Sequence, residues 1–132
     1  QAVLGDMKEV GFGRIVNISS RAMLGKTHRT AYAGTKGAIS AMTRVWALEL
    51  AHHGITVNAI APGPIATELF TKANPPNMPR TQEIIGTIPA GRLGTPADIA
   101  HSVSFFMDER TDFINGQVLF VCGGISLVRG GS

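Results

Sequence analysis

The feature that most restricts the fold is a largely apolar run from Ile55 to Ala61, which follows Gly54 and ends at Pro62-Gly63-Pro64. Strands that expose one face to water alternate apolar and polar residues, and this run is too continuously apolar for that arrangement. It is typical of a strand in a parallel sheet that is covered on both faces. Gly54 suits the left-handed residue that commonly ends a helix. The sequence therefore predicts a parallel sheet with this strand inside it.

Further strands and helices alternate along the chain on either side of this run. Arg14 to Ser19 is a short β-branched run that predicts a strand, and Gln117 to Cys122 predicts another after the tight turn at Asn115-Gly116. Residues 31–53 predict a long helix between the first two strands. This alternation favours a right-handed β-α-β-α-β unit, and hence an α/β fold. Ligands of such sheets bind at the carboxyl ends of the strands.

Apolar residues surround most of the predicted long helix. They are Ile39, Met42, Val45, Trp46, Leu48 and Leu50. This distribution predicts a helix that is buried on more than one side. Gly34 and Gly37 near its start each lower helix stability by about 1 kcal/mol relative to Ala. We therefore expect another part of the structure to approach the helix closely at these glycines.

A proline-rich segment separates the second and third predicted strands. Its prolines are Pro75, Pro76, Pro79 and Pro89, and its hydrophobic periodicity is weak. It predicts a long loop, and loops of this length in compact domains are usually lids or binding loops. We expect residues 68–90 to form a substrate lid. Thr95-Pro96-Ala97-Asp98 then predicts a helix start, because it combines an N-cap, a first-turn proline and an acidic residue at N3.

Composition limits the classes of function. The 132 residues are 44% hydrophobic, which is enough for the core of a single domain over residues 1–132. The net charge is +3 and the basic side chains are scattered singly, so no nucleic-acid-binding surface is expected. Cys122 is the single cysteine and no Cys/His spacing fits a zinc site, so we predict neither an internal disulfide nor a metal. No apolar stretch has the length of a membrane span, and we expect a cytoplasmic location.

Tyr32 and Lys36 stand four residues apart in the first turns of the predicted long helix, so their side chains lie on one face. A phenol with an ordinary pKa of about 10 transfers protons poorly at neutral pH. An ammonium about 4–6 Å away stabilises a phenolate by roughly 3 to 4 kcal/mol. The pair therefore suits proton transfer, although simple packing at a helix start explains the same spacing.

Two further features point to the same edge of the predicted sheet. Ser20 follows the first strand, where a hydroxyl can hold a carbonyl oxygen while a phenol donates a proton to it. The turn from Pro62 to Thr67 leaves the second strand, and we expect it to present backbone N–H groups and the Thr67 hydroxyl to the crevice. Taken alone, the serine could simply begin a loop, and the turn could simply end a strand.

These features occur together in one order, and in that order the sequence resembles the short-chain dehydrogenase/reductase family. Within the family it is similar to the 3-oxoacyl-[acyl-carrier-protein] reductases. The matching segments are residues 13–20 (GRIVNISS), 32–36 (YAGTK), 56–67 (TVNAIAPGPIAT), 91–96 (GRLGTP) and 114–117 (INGQ). The resemblance covers nearly the whole chain. It implies a Rossmann-type doubly wound parallel sheet, of which residues 1–132 supply the carboxyl-terminal half.

The resemblance implies a role for each matching residue. Tyr32 would be the acid/base for hydride transfer between NAD or NADP and a small-molecule carbonyl or alcohol. Lys36 would bind the nicotinamide ribose hydroxyls and stabilise the phenolate, and Ser20 would orient the substrate carbonyl. The cofactor-binding turn would include Pro62, Gly63, Ile65 and Thr67. The long helix of family members commonly packs against its mate, which implies a homodimer or homotetramer through residues 31–53.

The sequence departs from the family pattern at two points. The family's serine usually lies thirteen residues before the tyrosine, which is the spacing of Ser19, whereas Ser20 matches the position after Asn-Ile-Ser. We choose Ser20, and the choice between the two stays open. The family's glycine-rich phosphate loop and its cofactor selector belong upstream of these residues. We therefore expect residues 1–132 alone to be inactive, with an exposed sheet edge at residues 15–18.

Other functions remain compatible with the sequence. One is a non-catalytic binding or assembly module that keeps the sheet and the long helix. Another is an enzyme of the same fold with a different reaction, such as an epimerase or a dehydratase. The identity of the substrate, the direction of the reaction and the choice between NAD and NADP all stay open.

Overall fold

The computed structural model describes residues 1–128. The glycine-rich stretch from Gly123 to Ser132 predicts an exposed end unless it docks on another molecule, and residues 129–132 of that stretch lie outside the described part. Eight elements follow one another along the described chain: α1 (Leu4–Val10), β1 (Gly13–Ile18), α2 (Thr30–Leu50), β2 (Ile55–Pro62), α3 (Glu68–Ala73), α4 (Pro79–Gly86), α5 (Pro96–Met107) and β3 (Val118–Val121). Short 3₁₀ turns at Arg21–Leu24, Ala51–His53, Glu109–Thr111 and Ile125–Leu127 connect them.

The three strands form one parallel sheet in the order β1-β2-β3. Residues 55–61 of the central strand β2 are all buried, which confirms the prediction of a parallel strand covered on both faces. Asn58 is tolerated there because its side chain donates to the Ile114 carbonyl and accepts from the Gln117 N–H. Within the described residues β1 pairs with β2 alone, and Ile18 at its end is exposed. The predicted open edge at residues 15–18 is therefore present.

The helix α2 packs on the sheet through a single stripe. Its buried residues are Ser40, Thr43, Ala47 and Leu50, and the last two form a core cluster with Ile55 and Val57 of β2. The prediction that this helix is buried on more than one side is wrong for the described chain. Met42, Val45, Trp46 and Leu48 are exposed, because no described element covers the side of the helix that faces away from the sheet.

The glycines near the start of α2 also differ from the prediction. A Cβ atom added at Gly34 or Gly37 would meet no described atom within 4 Å. No part of the described chain therefore approaches the helix closely at these positions, and the expected neighbour is not among residues 1–128.

The proline-rich segment is not the long loop that its sequence predicts, because it forms the two short helices α3 and α4. Thr67 caps α3, since its Oγ1 accepts a hydrogen bond from the Phe70 N–H. Pro79 occupies the first turn of α4, where a proline interrupts no helical hydrogen bond. Pro75 and Pro76 lie between the helices. The prolines therefore mark helix boundaries and do not prevent helix formation.

The start of α5 matches its prediction. The Thr95 Oγ1 accepts from the Asp98 N–H, and the Asp98 carboxylate accepts from the Thr95 N–H, which completes a capping box. Arg92 donates two further hydrogen bonds to the same carboxylate. The Arg92 guanidinium and then the Thr95 groups hold the pKa of Asp98 well below its ordinary value.

We expect Asp98→Asn to remove a pH-dependent part of the stability. A carboxyl whose pKa is lowered on folding stabilises the native state above its unfolded pKa of about 4, and this contribution is lost as the pH falls below that value. Urea midpoints should therefore differ most between the wild type and the variant at pH 7, and the difference should narrow progressively as the pH falls from about 5 to 2. Asp112→Asn, outside the capping box, serves as the control. A difference of the same size at pH 7 and at pH 2 would show that the charge of Asp98 is not its cause.

Candidate active site

The carboxyl ends of the three parallel strands meet at one edge of the sheet. Ser20 follows β1, the turn at Pro62-Gly63-Pro64 ends β2, and Cys122 follows β3. The first turns of α2, with Tyr32 and Lys36, lie at the same edge because the Lys36 ammonium reaches the last residue of β1. The fold therefore places three segments with predicted site residues at the same edge of the sheet.

Lys36 lies between the helix and the end of β1. Its Nζ donates to the Ile18 carbonyl oxygen over 2.9 Å and lies 5.9 Å from the centre of the Tyr32 ring. The ammonium has three hydrogens, so it retains two for other acceptors. Tyr32 is 46% exposed as a residue, so it is not sealed in the core.

The two neighbouring serines have different surroundings. Ser20 is half-buried and has extended backbone geometry, and its Oγ accepts from the Ala22 N–H at the start of a 3₁₀ turn, so its own hydrogen stays available. Ser19 is only 2% exposed, and its Oγ is hydrogen-bonded to the Lys36 carbonyl and to the Ser40 hydroxyl. Successive residues at a strand end point in opposite directions. Of the two serines, Ser20 is thus the one open to a ligand.

The turn that follows β2 is held from two sides. The Gly63 N–H donates to the Val121 carbonyl of β3, and the Gly94 N–H donates to the Pro64 carbonyl. The Ala66 and Thr67 N–H groups donate to Gly94 and Ile65. The prediction that this turn presents its backbone N–H groups to the crevice is therefore wrong for Gly63, Ala66 and Thr67. These bonds instead fix the turn rigidly and place the Thr67 hydroxyl at the start of α3.

A cavity of about 290 Å³ lies behind this turn, between it, the end of β3 and α5. Its lining includes Ile65, Ile88, Arg92, Ser102 and Cys122. Burial raises the pKa of the Cys122 thiol, but hydrogen bonds with Ser126 and Gly124 and the charge of Arg21 lower that pKa overall.

Residues 1–128 hold no cluster of three or more His, Cys, Asp or Glu side chains that could bind a metal ion. In the same part of the chain, the helices are all too short or too polar to cross a bilayer.

A family model described as "Enoyl-(Acyl carrier protein) reductase" matches residues 1–126. The chain belongs to the short-chain dehydrogenase/reductase family. The (2S)-[(R)-hydroxy(phenyl)methyl]succinyl-CoA dehydrogenase subunit BbsD of Thauera aromatica is 45% identical over 98% of this chain and 51% of its own length. The 3-oxoacyl-[acyl-carrier-protein] reductase FabG of Vibrio harveyi is 36% identical over 97% of this chain and 52% of its own. The chain thus spans about half the length of these relatives.

Solved structures of short-chain dehydrogenase/reductase enzymes share the fold. A gluconate 5-dehydrogenase from Burkholderia cenocepacia J2315, described in complex with NADP and tartrate, superposes with a TM-score of 0.87 at 34% identity. The overlap covers 97% of this chain and 50% of that structure. The prediction of a Rossmann-type α/β fold with a parallel sheet is confirmed.

Sequence reasoning missed Ser40, whose buried hydroxyl contacts Ser19 and the Lys36 carbonyl beside the predicted site residues. Ser40 follows Lys36 by one helical turn and contacts Ser19, the residue directly after β1. The signal was available in the spacing of Lys36, Ser40, Thr43 and Ala47, which places small or polar residues on one helix face. It was overlooked because the apolar residues of the same helix dominate its pattern.

Proposed function

We propose that the full-length protein is an NAD(P)-dependent oxidoreductase that interconverts a carbonyl and a secondary alcohol. The observation that carries the proposal is the placement of Lys36, whose ammonium lies between the Tyr32 ring and the carboxyl end of β1, next to Ser20. Related proteins named as dehydrogenases and reductases support the same class of reaction.

The free donors at the sheet edge fit the nicotinamide half of a dinucleotide. Lys36 has two ammonium hydrogens beyond the one given to Ile18, and these suit a pair of ribose hydroxyls. The Thr67 Oγ1 accepts from Phe70, so its own hydrogen suits the oxygen of a carboxamide. Tyr32, Pro62, Gly63 and Ile65 complete the proposed cofactor contacts. When bound, the cofactor supplies or accepts the hydride.

The chain's own residues then handle the substrate oxygen and its proton. In the reductive direction the Ser20 hydroxyl donates a hydrogen bond to the carbonyl oxygen and orients it. The Tyr32 phenol gives its proton to this oxygen as negative charge develops there. Lys36 stabilises the phenolate that remains. In the oxidative direction the same groups act in reverse order.

The charges around the site favour an anionic substrate. No acidic residue occurs between Val10 and Leu48, the stretch that contains β1, Ser20, Tyr32 and Lys36. Of the basic residues of this stretch, Arg21, Lys26, Arg29 and Lys36 lie between the carboxyl end of β1 and the first turns of α2. Such a one-sided field attracts anions to a cleft. Gluconate and a succinyl-CoA derivative, which occur in the names of two relatives, are both anions.

The remaining features belong to the same proposal. Residues 68–90, with α3 and α4, form the substrate lid. The exposed apolar side of α2 supports a homodimer or homotetramer built on residues 31–53. We further propose that the protein acts in the cytoplasm.

The proposal is tested by assaying the full-length protein for carbonyl-dependent oxidation of NADPH and NADH. The substrates should include 5-keto-D-gluconate and a 3-oxoacyl-CoA, each compared with a neutral ketone of similar size. We expect turnover with at least one anionic carbonyl and a kcat/KM that falls as salt is added. A folded, cofactor-binding protein that reduces none of these carbonyls would contradict the proposal.

We expect Ser20→Ala to lower kcat by about 100-fold, because one hydrogen bond to the developing oxyanion is lost. The KM for the cofactor should stay within twofold, since Ser20 is assigned to the substrate and not to the nicotinamide. Ser104→Ala, on the exposed surface of α5, provides the control. A variant with wild-type kcat would show that Ser20 does not act on the reacting carbonyl.

A further inference from the structure

The interface between β1 and α2 contains a row of polar contacts. The Asn17 Nδ2 donates to the Thr43 Oγ1 over 2.9 Å. One helical turn nearer to the site, the Ser19 and Ser40 hydroxyl oxygens lie 2.8 Å apart. At the end of the row the Lys36 ammonium donates to the Ile18 carbonyl. Polar side chains thus join the strand to the helix along the part of α2 that leads to Tyr32.

The central contact, Ser19 with Ser40, is called here the serine clamp. Both side chains are 2% exposed. The Ser19 Oγ lies 2.8 Å from the Lys36 carbonyl oxygen, and the Ser40 Oγ lies 3.2 Å from the same oxygen and 3.0 Å from the Met23 sulfur. The two hydroxyl groups thus have two hydrogens to donate and three nearby acceptors, which are the Lys36 carbonyl, a serine oxygen and the Met23 sulfur. In the arrangement with the shortest bonds, Ser19 donates to Lys36 and Ser40 donates to Ser19.

Lys36 is consequently held by the end of β1 at two points. Its ammonium donates to the Ile18 carbonyl, and its own carbonyl accepts from Ser19. Ile18 and Ser19 are the two residues immediately before Ser20. The clamp therefore links the rotation of α2 about its axis to the position of the strand end that carries Ser20.

We propose that Ser19 and Ser40 are positioning residues, which fix α2 on β1 so that Tyr32 and Lys36 face Ser20. This inference rests on the proposed function. Apolar attraction is not directional, whereas hydrogen bonds constrain both distance and direction. Further along α2, Ala47 and Leu50 pack on β2 through apolar contacts. The serine clamp adds directional hydrogen bonds near the end of α2 that carries Tyr32 and Lys36, where the proposed reaction requires a fixed orientation.

The structure offers a matched control within the same interface. Thr43 is fully buried, donates to the Ile39 carbonyl and accepts from Asn17, so Thr43→Val also removes a buried hydrogen bond between β1 and α2. It lies two turns from Lys36 along the helix. Substitutions at Thr43 and in the serine clamp should therefore all lower the stability. Only the substitutions in the serine clamp should also lower kcat.

The test compares Ser19→Ala, Ser40→Ala, the double variant and Thr43→Val in the full-length protein. We expect each clamp variant to lower kcat by about 10-fold with the substrate KM within twofold, and the double variant to lose no more than Ser19→Ala, because the residues act as a unit. Thr43→Val should keep kcat within twofold despite a comparable drop in urea midpoint. Wild-type kcat in both single clamp variants, or an equal loss in Thr43→Val, would overturn the inference.

Hydrogen exchange gives a second readout that does not depend on turnover. The backbone amides of residues 36–40 should exchange at least several-fold faster in the clamp variants than in Thr43→Val at equal global stability. If the wild type shows no activity but the clamp variants still exchange faster than Thr43→Val, the proposed function is wrong. The serine clamp would still be shown to fix α2 on β1. Equal exchange in all the variants would contradict the clamp itself.

Discussion

Tyr32→Phe in the full-length protein is expected to lower kcat by about a thousandfold, within the range typical of a lost general acid. The substitution removes only the phenolic oxygen, and the ring is 46% exposed, so packing should not change. Lys36 keeps its bond to the Ile18 carbonyl, because that bond does not involve the tyrosine. The urea midpoint and the Kd for NADPH should therefore stay close to those of the wild type, and kcat alone should fall. Stopped-flow hydride transfer and equilibrium binding measure the two quantities separately.

Thr35→Ala is the matched control for this prediction. Thr35 is exposed on the same helical turn, and its hydroxyl donates to the Tyr32 carbonyl, so the variant removes a neighbouring hydroxyl without touching the phenol. We expect its kcat to remain within twofold of the wild type. An unchanged kcat in Tyr32→Phe would reject the acid/base role. If the wild type itself lacked turnover while it still assembled and bound its ligands, the non-catalytic module would be the better description.

The sheet could be predicted from the sequence because its evidence is local. The apolar run from Ile55 to Ala61 predicts a strand buried on both faces, and the structure shows these residues buried. Gly54 and the Pro62-Gly63-Pro64 turn mark the ends of this strand. Parallel strands share an edge at their carboxyl ends, so placing Ser20 and Tyr32 at the same edge required no knowledge of the intervening loop.

The features that could not be predicted depend on contacts between distant parts of the chain. Apolar residues all round α2 indicate partners without saying whether they belong to the same chain, and the described residues cover only one side. The prolines of residues 68–90 predict a loop, yet a proline in the first turn of a helix is compatible with that helix. The spacing of small and polar residues along α2 places Ser40 on the face that packs on the sheet, but it does not identify Ser19 as the partner of Ser40 across the interface.

The choice between Ser19 and Ser20 also depends on a contact with a distant part of the chain. Spacing to Tyr32 favours Ser19, and the match to the Asn-Ile-Ser motif favours Ser20. The structure separates the two by burial, because Ser19 faces α2 and Ser20 begins a turn. Only the path of the loop between β1 and α2 decides which hydroxyl is accessible, and a loop path is not encoded in residue spacing.

Gly54→Ala is expected to lower the free energy of unfolding by about 4 kcal/mol, since a left-handed backbone costs a side-chain-bearing residue about 1–2 kcal/mol and a steric clash adds about 1–3 kcal/mol. Gly54 has a φ of 71°, and a Cβ added there would lie 2.2 Å from the Gly11 carbonyl oxygen. That oxygen belongs to the backbone turn before β1, so it cannot move aside without shifting the strand. Urea unfolding of the full-length protein measures the loss.

Gly11→Ala separates the two contributions, because Gly11 has nearly the same φ, 73°, but an added Cβ would meet no described atom within 4 Å. Its loss should therefore be only about 1–2 kcal/mol. Equal losses in the two variants would mean that the turn before β1 yields to the methyl group. A much larger loss in Gly54→Ala would show that the turns entering β1 and β2 are locked together, since the Gly13 N–H also donates to the Gly54 carbonyl. In that case the register of β1 and β2 is fixed at the amino ends of the strands. This register would then align the carboxyl ends of the strands, which are followed by Ser20 and by the Pro62 to Thr67 turn.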